Sequence, residues 1–371
     1  MPKTTRQWIY GKPLENGKLG PQQFELREVT LPQLQDGDAL VRVKLVNIHS
    51  NTRMRMATRA IPLGETDAAN YACAEVIEPR TAMFHEGDVI ACQTGWQEYQ
   101  VISTEGGAVG HGIASELTKT LNGTNSPWTY KFRPAMVKMW PAEVLMEMFG
   151  TSGMTAYFGV RECGPLMPWD RVAVAAATGS VGSIVAQLAK SAGSYIVGFA
   201  GGRDRCQWVV ENLGIDRCID YRAADFKDQL RDAFPNGIDV YSDGVGGSLT
   251  EIVVEQIKQN GRLFSYGGAA AFYADEFAPQ SQPLKLREFF GISGKVDALL
   301  KKKNIKTEAL MVHAFYHERL KAEDDLSRLM LTGKLKPIHN LVEGFENLPQ
   351  AITDLYQNRR PGKLQVRLEV G

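Results

Sequence analysis

The sequence predicts an α/β protein, a doubly wound parallel sheet joined to a second domain of antiparallel β structure. Three observations carry this. From about Leu145 to residue 335, short β runs alternate with helical segments of roughly 10 to 15 residues, the pattern of a parallel sheet wound by crossover connections. The first hundred residues are short strands punctuated by Gly and Pro. Between them, "VAVAAATGSVGSIVAQLAK" (172–190) passes from a β-branched run through a cluster of Ala and Gly into a helix.

Taken in chain order, "LREVTLPQLQDGDALVRVKLV" (26–46) sets the turn signal "DGD" before an alternating run, and "ACAEVIEP" and "GDVIACQTGWQEYQVI" continue in strands. Residues 103–140, with "GGAVGHG" and "NGTNSPW", read as one long loop or excursion. "EVLMEMFGTSGMTAYFGVRECG" then places apolar residues at helical spacing. The series "RVAVAAA", "SIVAQLAKSAG", "YIVGFAG", "RCQWVVENLG", "RCIDYR", "FKDQLRDAF", "IDVYSDGVG", "LTEIVVEQIKQNG", "RLFSYGG" supplies the βα units. The last segment, "LVEGFENLPQAITDLYQNRRPGKLQVRLEV", reads as a helix and a closing strand that returns to the N-terminal β domain.

A chain of 371 residues is long enough for two cores of ordinary size. No apolar run approaches the roughly 18 to 20 residues that span a bilayer, and "MPKTTRQWIYGK" lacks the apolar centre of a secretory signal; a cytoplasmic protein without a membrane role is expected. Lys plus Arg and Asp plus Glu stand at 42 each, so there is no global field to hold nucleic acid, and any anion site is local. Cys73, Cys92, Cys163, Cys206 and Cys218 contain no Cys-x-x-Cys pair, which suits reduced thiols.

Ala177, Gly179 and Gly182 hold the three small-residue positions of G-x-G-x-x-G, with Ala in the first. A sharp turn, a bare backbone beside a pyrophosphate and a close helix-on-sheet contact ask for small residues there, and the first N–H groups of the helix then face the phosphates. Tight packing alone also selects small residues; the strand before, the helix after and the βα series favour a dinucleotide. About 20 residues on, where an NAD site carries Asp or Glu on the ribose hydroxyls, the text reads "VGFAGGRDRC". Arg203 and Arg205 flank Asp204, and arginine matches a 2′-phosphate better than a pair of hydroxyls. NADP is favoured over NAD, the other reading being solvated charges at a helix end.

"GTSGMTAYFG" (150–159), "AAATGSVGS" (175–183), "IDYR" (219–222), "DGVGG" (243–247), "NGRLFSYGG" (260–268), "VEGFENLPQA" (342–351), "PGKLQV" (361–366), "NIHSNTRMRM" (47–56) and "TGWQEY" (94–99) together resemble the zinc-independent medium-chain dehydrogenase/reductase family, in its branch of prostaglandin reductases, plant double-bond reductases and curcumin reductase. The resemblance implies a GroES-like catalytic domain (1–149 and 336–371) and a Rossmann NADP-binding domain (150–335), with substrate and nicotinamide meeting between them, and a homodimer. It implies NADPH held by Thr178, Gly179, Ser180, Val181 and Gly182 at the pyrophosphate and by Gly201, Arg203, Arg205 and Tyr221 at the 2′-phosphate. Gly244, Val245, Tyr266, Gly267 and Arg360 would lie at the nicotinamide end.

Three positions depart from the family: Asn51 stands for the Tyr of "DPYMR", Gly244 for the Asn of "DNVGG", and Phe272 with Tyr273 for the Tyr after "GAIS". Asn51, Arg53, Tyr71, Phe272 and Tyr273 are the candidate substrate residues, Met54 and Met56 being read as core. No metal is expected: His111 in "GHG" lacks a following Glu, His49 lacks a partner at ligand spacing, and His313 with His317 is a pair that could share a helix face without a third ligand. Without a Lewis acid an alkoxide has no stabiliser, whereas a polarised C=C accepts hydride if a donor meets the carbonyl oxygen. Tyr71 is the first candidate for that donor and Tyr273 the second. A small enone or enal is the expected substrate; a quinone, or a nucleotide-binding protein without turnover, is the alternative.

Overall fold

The computed structural model describes residues 3–14, 18–57, 60–103, 107–108, 129–269, 292, 294–309, 312–357 and 360–368. They fall into two compact units, one of residues 1–146 and 339–371, the other of residues 147–274 and 280–338.

In the first unit, β1 (Thr4–Tyr10) pairs antiparallel with β2 (Phe24–Thr30). A larger sheet is centred on β3 (Asp38–Asn47), whose neighbours are β4 (Tyr71–Pro79) and β6 (Tyr99–Ser103), both antiparallel; β4 continues to β5 (Val89–Gln93). Between β3 and β4 lies the short helix α1 (Asn51–Ala57). Strand β7 (Gly107–Ala108) pairs with β6, and β8 (Tyr130–Lys131) with β5. The stretch read as one excursion therefore ends earlier than 140: β8 is followed by helices α2 (Pro134–Met139), with Pro at its first turn where no N–H is needed, and α3 (Ala142–Met148). His111 and most of 103–128 lie outside the described residues.

The second unit opens with α4 (Thr151–Cys163). Gly159 is small because the Phe264 ring fills its place: a Cβ there would lie 1.8 Å from Cζ. The sheet consists of β9 (Arg171–Val174), β10 (Tyr195–Ala200), β11 (Arg217–Asp220), β12 (Ile238–Asp243), β13 (Ile257–Ser265) and β14 (Lys306–Ala309). Every pairing is parallel and the order is 11-10-9-12-13-14, which is the doubly wound arrangement the sequence predicts. The crossovers run through α5 (Ser180–Ser191), α6 (Arg203–Leu213), α7 (Phe226–Ala233) and α8 (Gly247–Val254), with α9 (Gly294–Lys302) before β14 and α10 (Arg319–Leu331) after it. Val197, Phe199, Tyr241 and Leu263 from the strands pack with Leu230 and Val253 from the helices, and burial of such side chains at about 25 cal/mol per Å² drives the assembly. His313 and His317 lie in a 3₁₀ helix, Val312–Glu318, where residues three apart align; the expectation of a shared α-helical face is corrected.

The chain then returns to the first unit. β15 (His339–Glu343) precedes α11 (Leu348–Gln357), and β16 (Lys363–Arg367) pairs parallel with β15 and antiparallel with β3. The expectation of one helix and a closing strand is corrected, since β15 precedes them. Its alternation is faint because all its residues are half-buried or exposed. Phe345, Leu348 and Ile352 join Tyr10, Phe24 and Trp96 in that core, Phe24 stacking on Trp96 at 4.9 Å.

Candidate cofactor site

Of the residues expected at a dinucleotide, all but Arg360, which belongs to the first unit, follow the C-terminal ends of the parallel strands, the edge where open α/β sheets bind ligands. After β9 the chain turns sharply, Ala176 taking a left-handed φ of 49°. Ala177 is wholly buried and its N–H donates to the Phe199 carbonyl (3.1 Å). The adjoining strand makes room with Gly198, where a Cβ would lie 2.9 Å from the Ala177 methyl, so alanine is accommodated where glycine usually stands. At Gly182 a Cβ would lie 2.4 Å from the Ala176 carbonyl oxygen; helix α5 is pressed onto the turn and admits no side chain there. Gly179 caps α5 in an extended conformation with no side-chain cap, which leaves the first N–H groups of the helix without an intrahelical acceptor. Thr178, Ser180 and Val181 are half-buried beside them. This arrangement fits a pyrophosphate.

At the end of β10, Gly201 is buried between two side chains: a Cβ would lie 2.9 Å from Arg222 Nε and 3.1 Å from Tyr221 Oη. The Arg222 guanidinium stands over the Tyr221 ring at 5.5 Å. Asp220, the nearest acid, has its Oδ1 occupied by the N–H groups of Gly202 (2.9 Å) and Arg222 (3.0 Å). Arg203 is exposed and Arg205 half-buried, and neither forms an ion pair or side-chain hydrogen bond among the described residues. The Arg222 guanidinium and the Tyr221 hydroxyl thus stand against the bare backbone of Gly201, with Arg203 and Arg205 two and four residues further along the chain, a composition that suits a phosphate dianion. Arg222 was not singled out from the sequence, although it closes the quoted motif "IDYR".

The ends of β12 and β13 form the third part. Asp243, wholly buried, accepts from the N–H groups of Val245 (2.8 Å) and Gly246 (3.1 Å) and from the Thr250 hydroxyl. Burial pushes its carboxyl above the usual range while these donors pull the other way. Tyr266 donates its N–H to the Asp243 carbonyl (2.9 Å), and its ring covers Gly244, where a Cβ would lie 2.3 Å from Cε2. The Tyr266 hydroxyl reaches the Ala175 carbonyl at 3.4 Å, tying this part to the turn after β9. Gly267 lies against the Gly244 carbonyl.

In the first unit, Asn51 opens α1 and its side-chain oxygen is buried without a hydrogen-bond partner among the described residues. Arg53 is buried with its guanidinium 5.5 Å from the Tyr356 ring. Tyr71 begins β4, is 4% exposed, and lies 6.5 Å from the His49 ring between centroids. Asn70 beside it is fully buried with neither side-chain polar atom paired among the described residues, a feature no sequence pattern signals. Met56 is buried in the core, as read; Arg360 is exposed. Phe272 and Tyr273 lie outside the described residues. Among the described residues no three His, Cys, Asp or Glu side chains come together as metal ligands, and no helix is long and apolar enough to cross a membrane.

Two family profiles match the chain: "N-terminal domain of oxidoreductase" over residues 6–109 and "Zinc-binding dehydrogenase" over residues 180–298. The NADPH-dependent curcumin reductase of Escherichia coli (strain K12) is 27% identical over 368 residues, 98% of this chain and 96% of that protein. The chain belongs to the zinc-independent medium-chain dehydrogenase/reductase family. Another relative in this family, the 2-alkenal reductase (NADP(+)-dependent) of Nicotiana tabacum, is 27% identical over 96% of this chain and 94% of its own. The crystal structure of CurA in complex with NADPH from Vibrio vulnificus superposes with a TM-score of 0.78 at 25% identity, covering 99% of this chain and all of that one. The family's Asn-to-glycine departure at position 244 now has a physical account, since the Tyr266 ring occupies the space an Asn side chain would need.

Proposed function

We propose that this medium-chain reductase uses NADPH to reduce the activated C=C bond of an α,β-unsaturated aldehyde or ketone. The observation that supports the cofactor reading is the Arg222 guanidinium and Tyr221 hydroxyl against Gly201, to which Arg203 and Arg205, without an ion pair among the described residues, are assigned as further partners of a 2′-phosphate. The names of the E. coli and tobacco relatives support NADPH, and the tobacco relative's name supports an alkenal.

When bound, NADPH supplies the hydride that adds to the carbon β to the carbonyl. The work of this chain is to hold and orient: the first turn of α5 and the backbone of Gly179 to Gly182 receive the pyrophosphate, and Gly244, Val245, Tyr266 and Gly267 seat the nicotinamide end. Charge that gathers on the substrate carbonyl oxygen needs a donor at about 3 Å. Tyr71 is assigned that role and Tyr273 is the second choice, with Asn51 and Arg53 as substrate residues. Arg360 remains a proposed neighbour of the nicotinamide. The reaction on this reading needs no metal ion.

The test is an NADPH-oxidation screen over 2-alkenals, enones and quinones, with product mass. Two hydrogens gained at carbon with the carbonyl intact supports the reading; turnover of quinones alone, or tight NADPH binding with no turnover, replaces it. A homodimer in the cytoplasm, acting on a small molecule, belongs to the same proposal, and sedimentation as a monomer removes the dimer.

A further inference from the structure

Two carboxamides of the first unit have hydrogen-bonding atoms that are buried and unmet among the described residues. Asn51, the first residue of α1, is half-buried and keeps its side-chain oxygen without a donor; Asn70, which directly precedes β4, is fully buried with both its oxygen and its NH2 unmet. A carboxamide taken out of water forfeits its hydrogen bonds unless water or a ligand returns them. Each amide therefore marks a place for a partner.

The chain around both amides is already fastened. Thr52 donates its hydroxyl to Asp67 Oδ2 (2.7 Å) and Arg55 Nε donates to Asp67 Oδ1 (2.9 Å), with the Asp67 side chain 3% exposed, so the start of α1 is tied to the loop 66–70. Asn51 stands one residue before Thr52, and Asn70 three after Asp67. The Asn70 N–H donates to the Asp67 carbonyl (3.0 Å) and its carbonyl accepts from the Thr94 N–H (3.3 Å), which leaves only the side chain with unused capacity. Tyr71 follows Asn70 in the chain, and its ring stands 6.5 Å between centroids from that of His49, two residues before Asn51. Segments 49–51 and 70–71 are thus neighbours.

We propose that Asn51 and Asn70 are specificity-determining residues, which select an α,β-unsaturated ketone bearing a hydroxyl on the carbon next to its carbonyl. The inference rests on the enone reading given above, with Tyr71 on the carbonyl oxygen. The unmet atoms are two acceptor oxygens and one NH2, so the missing group has to donate, and a hydroxyl donates and accepts at once. An unsubstituted enone offers no donor. With the carbonyl oxygen at Tyr71, the group that meets the adjoining Asn70 and the 49–51 segment belongs on the neighbouring carbon. The departure at position 51 has the same sense: the tyrosine of "DPYMR" brings its own donor, whereas the Asn51 oxygen only accepts. A site built around a substrate hydroxyl discriminates against the analogue that lacks it, because the protein's polar atoms are then buried unpaired.

Steady-state kinetics with NADPH compares three ketones: an aliphatic enone, the same enone with a hydroxyl on the carbon next to the carbonyl, and the methyl ether of that hydroxyl, which keeps the oxygen and loses the donor. In the unaltered protein kcat/KM is expected to be about tenfold or more higher for the hydroxy ketone than for either of the others, the difference lying mainly in KM. Asn51→Leu and Asn70→Leu should each bring that ratio close to one, and Asn51→Asp, which keeps an acceptor, should preserve it. Thermal melting and NADPH titration verify the fold of each variant, with alanine used where leucine is not tolerated. A ratio near one in the unaltered protein overturns the proposal and assigns the amides to water, as does a ratio that neither leucine variant moves. If NADPH binds and none of the three ketones is reduced, the enone reading falls and this inference with it; reduction of all three alike leaves that reading standing and removes the inference alone.

Discussion

Replacing Gly244 with Asn, the residue of the resembling motif "DNVGG", tests whether the Tyr266 ring fills the space at the end of β12. The backbone there is outside the left-handed region, so Asn is allowed by φ and the cost is steric. A Cβ alone would lie 2.3 Å from Tyr266 Cε2, 2.6 Å from Cζ and 2.9 Å from the hydroxyl oxygen, all inside ordinary contact and the first by more than an ångström. The ring has little room to retreat, since Phe264 stands 5.2 Å from it between centroids and its hydroxyl is held toward Ala175. Overpacking of this kind costs about 1–3 kcal/mol. For a unit of this size that is a fall in Tm of about 4–8 °C at the middle of the range. Tyr266→Ala removes the obstruction, so in a double-mutant cycle followed by thermal melting Gly244→Asn should cost little in the Tyr266→Ala background, with a coupling of about 1–2 kcal/mol. Strict additivity of the two losses would refute the claim that the Tyr266 ring takes the place of a side chain at 244.

Three further outcomes are expected. Arg205→Ala removes the proposed charge-assisted partner of the 2′-phosphate and should raise the NADPH Kd by about 10- to 100-fold while leaving NADH binding unchanged; calorimetry with both nucleotides checks it, and an equal loss for both would contradict the assignment. Tyr71→Phe should lower kcat about tenfold or more with NADPH affinity unchanged, read by steady-state kinetics and direct titration. Asn70→Leu removes a buried amide whose polar atoms lack partners among the described residues, so the melting temperature should hold or rise. If that amide serves substrate, KM should rise about tenfold, and a fall in stability would show instead that the amide supports the fold.

Much of the second unit was legible in the sequence because its signals are local. A parallel strand buried on both faces is a β-branched run, a crossover helix is an amphipathic one, and the turn between them needs small residues whatever follows, so "VAVAAATGSVGS" declares itself. The pair of arginines after β10 is likewise local, being a charge where an acid is usual. What the chain could not declare alone depends on which strands become neighbours. Arg222 stands against Gly201 only because β11 pairs with β10. Gly198 explains Ala177, and Tyr266 explains Gly244, through contacts between segments 21 to 22 residues apart that the sheet order creates. The buried amide of Asn70, without a partner among the described residues, is of the same kind. Residue type and spacing determine which element forms and what each side chain is able to do; the tertiary structure decides which side chains meet, because burial and pairing join segments that are remote along the chain.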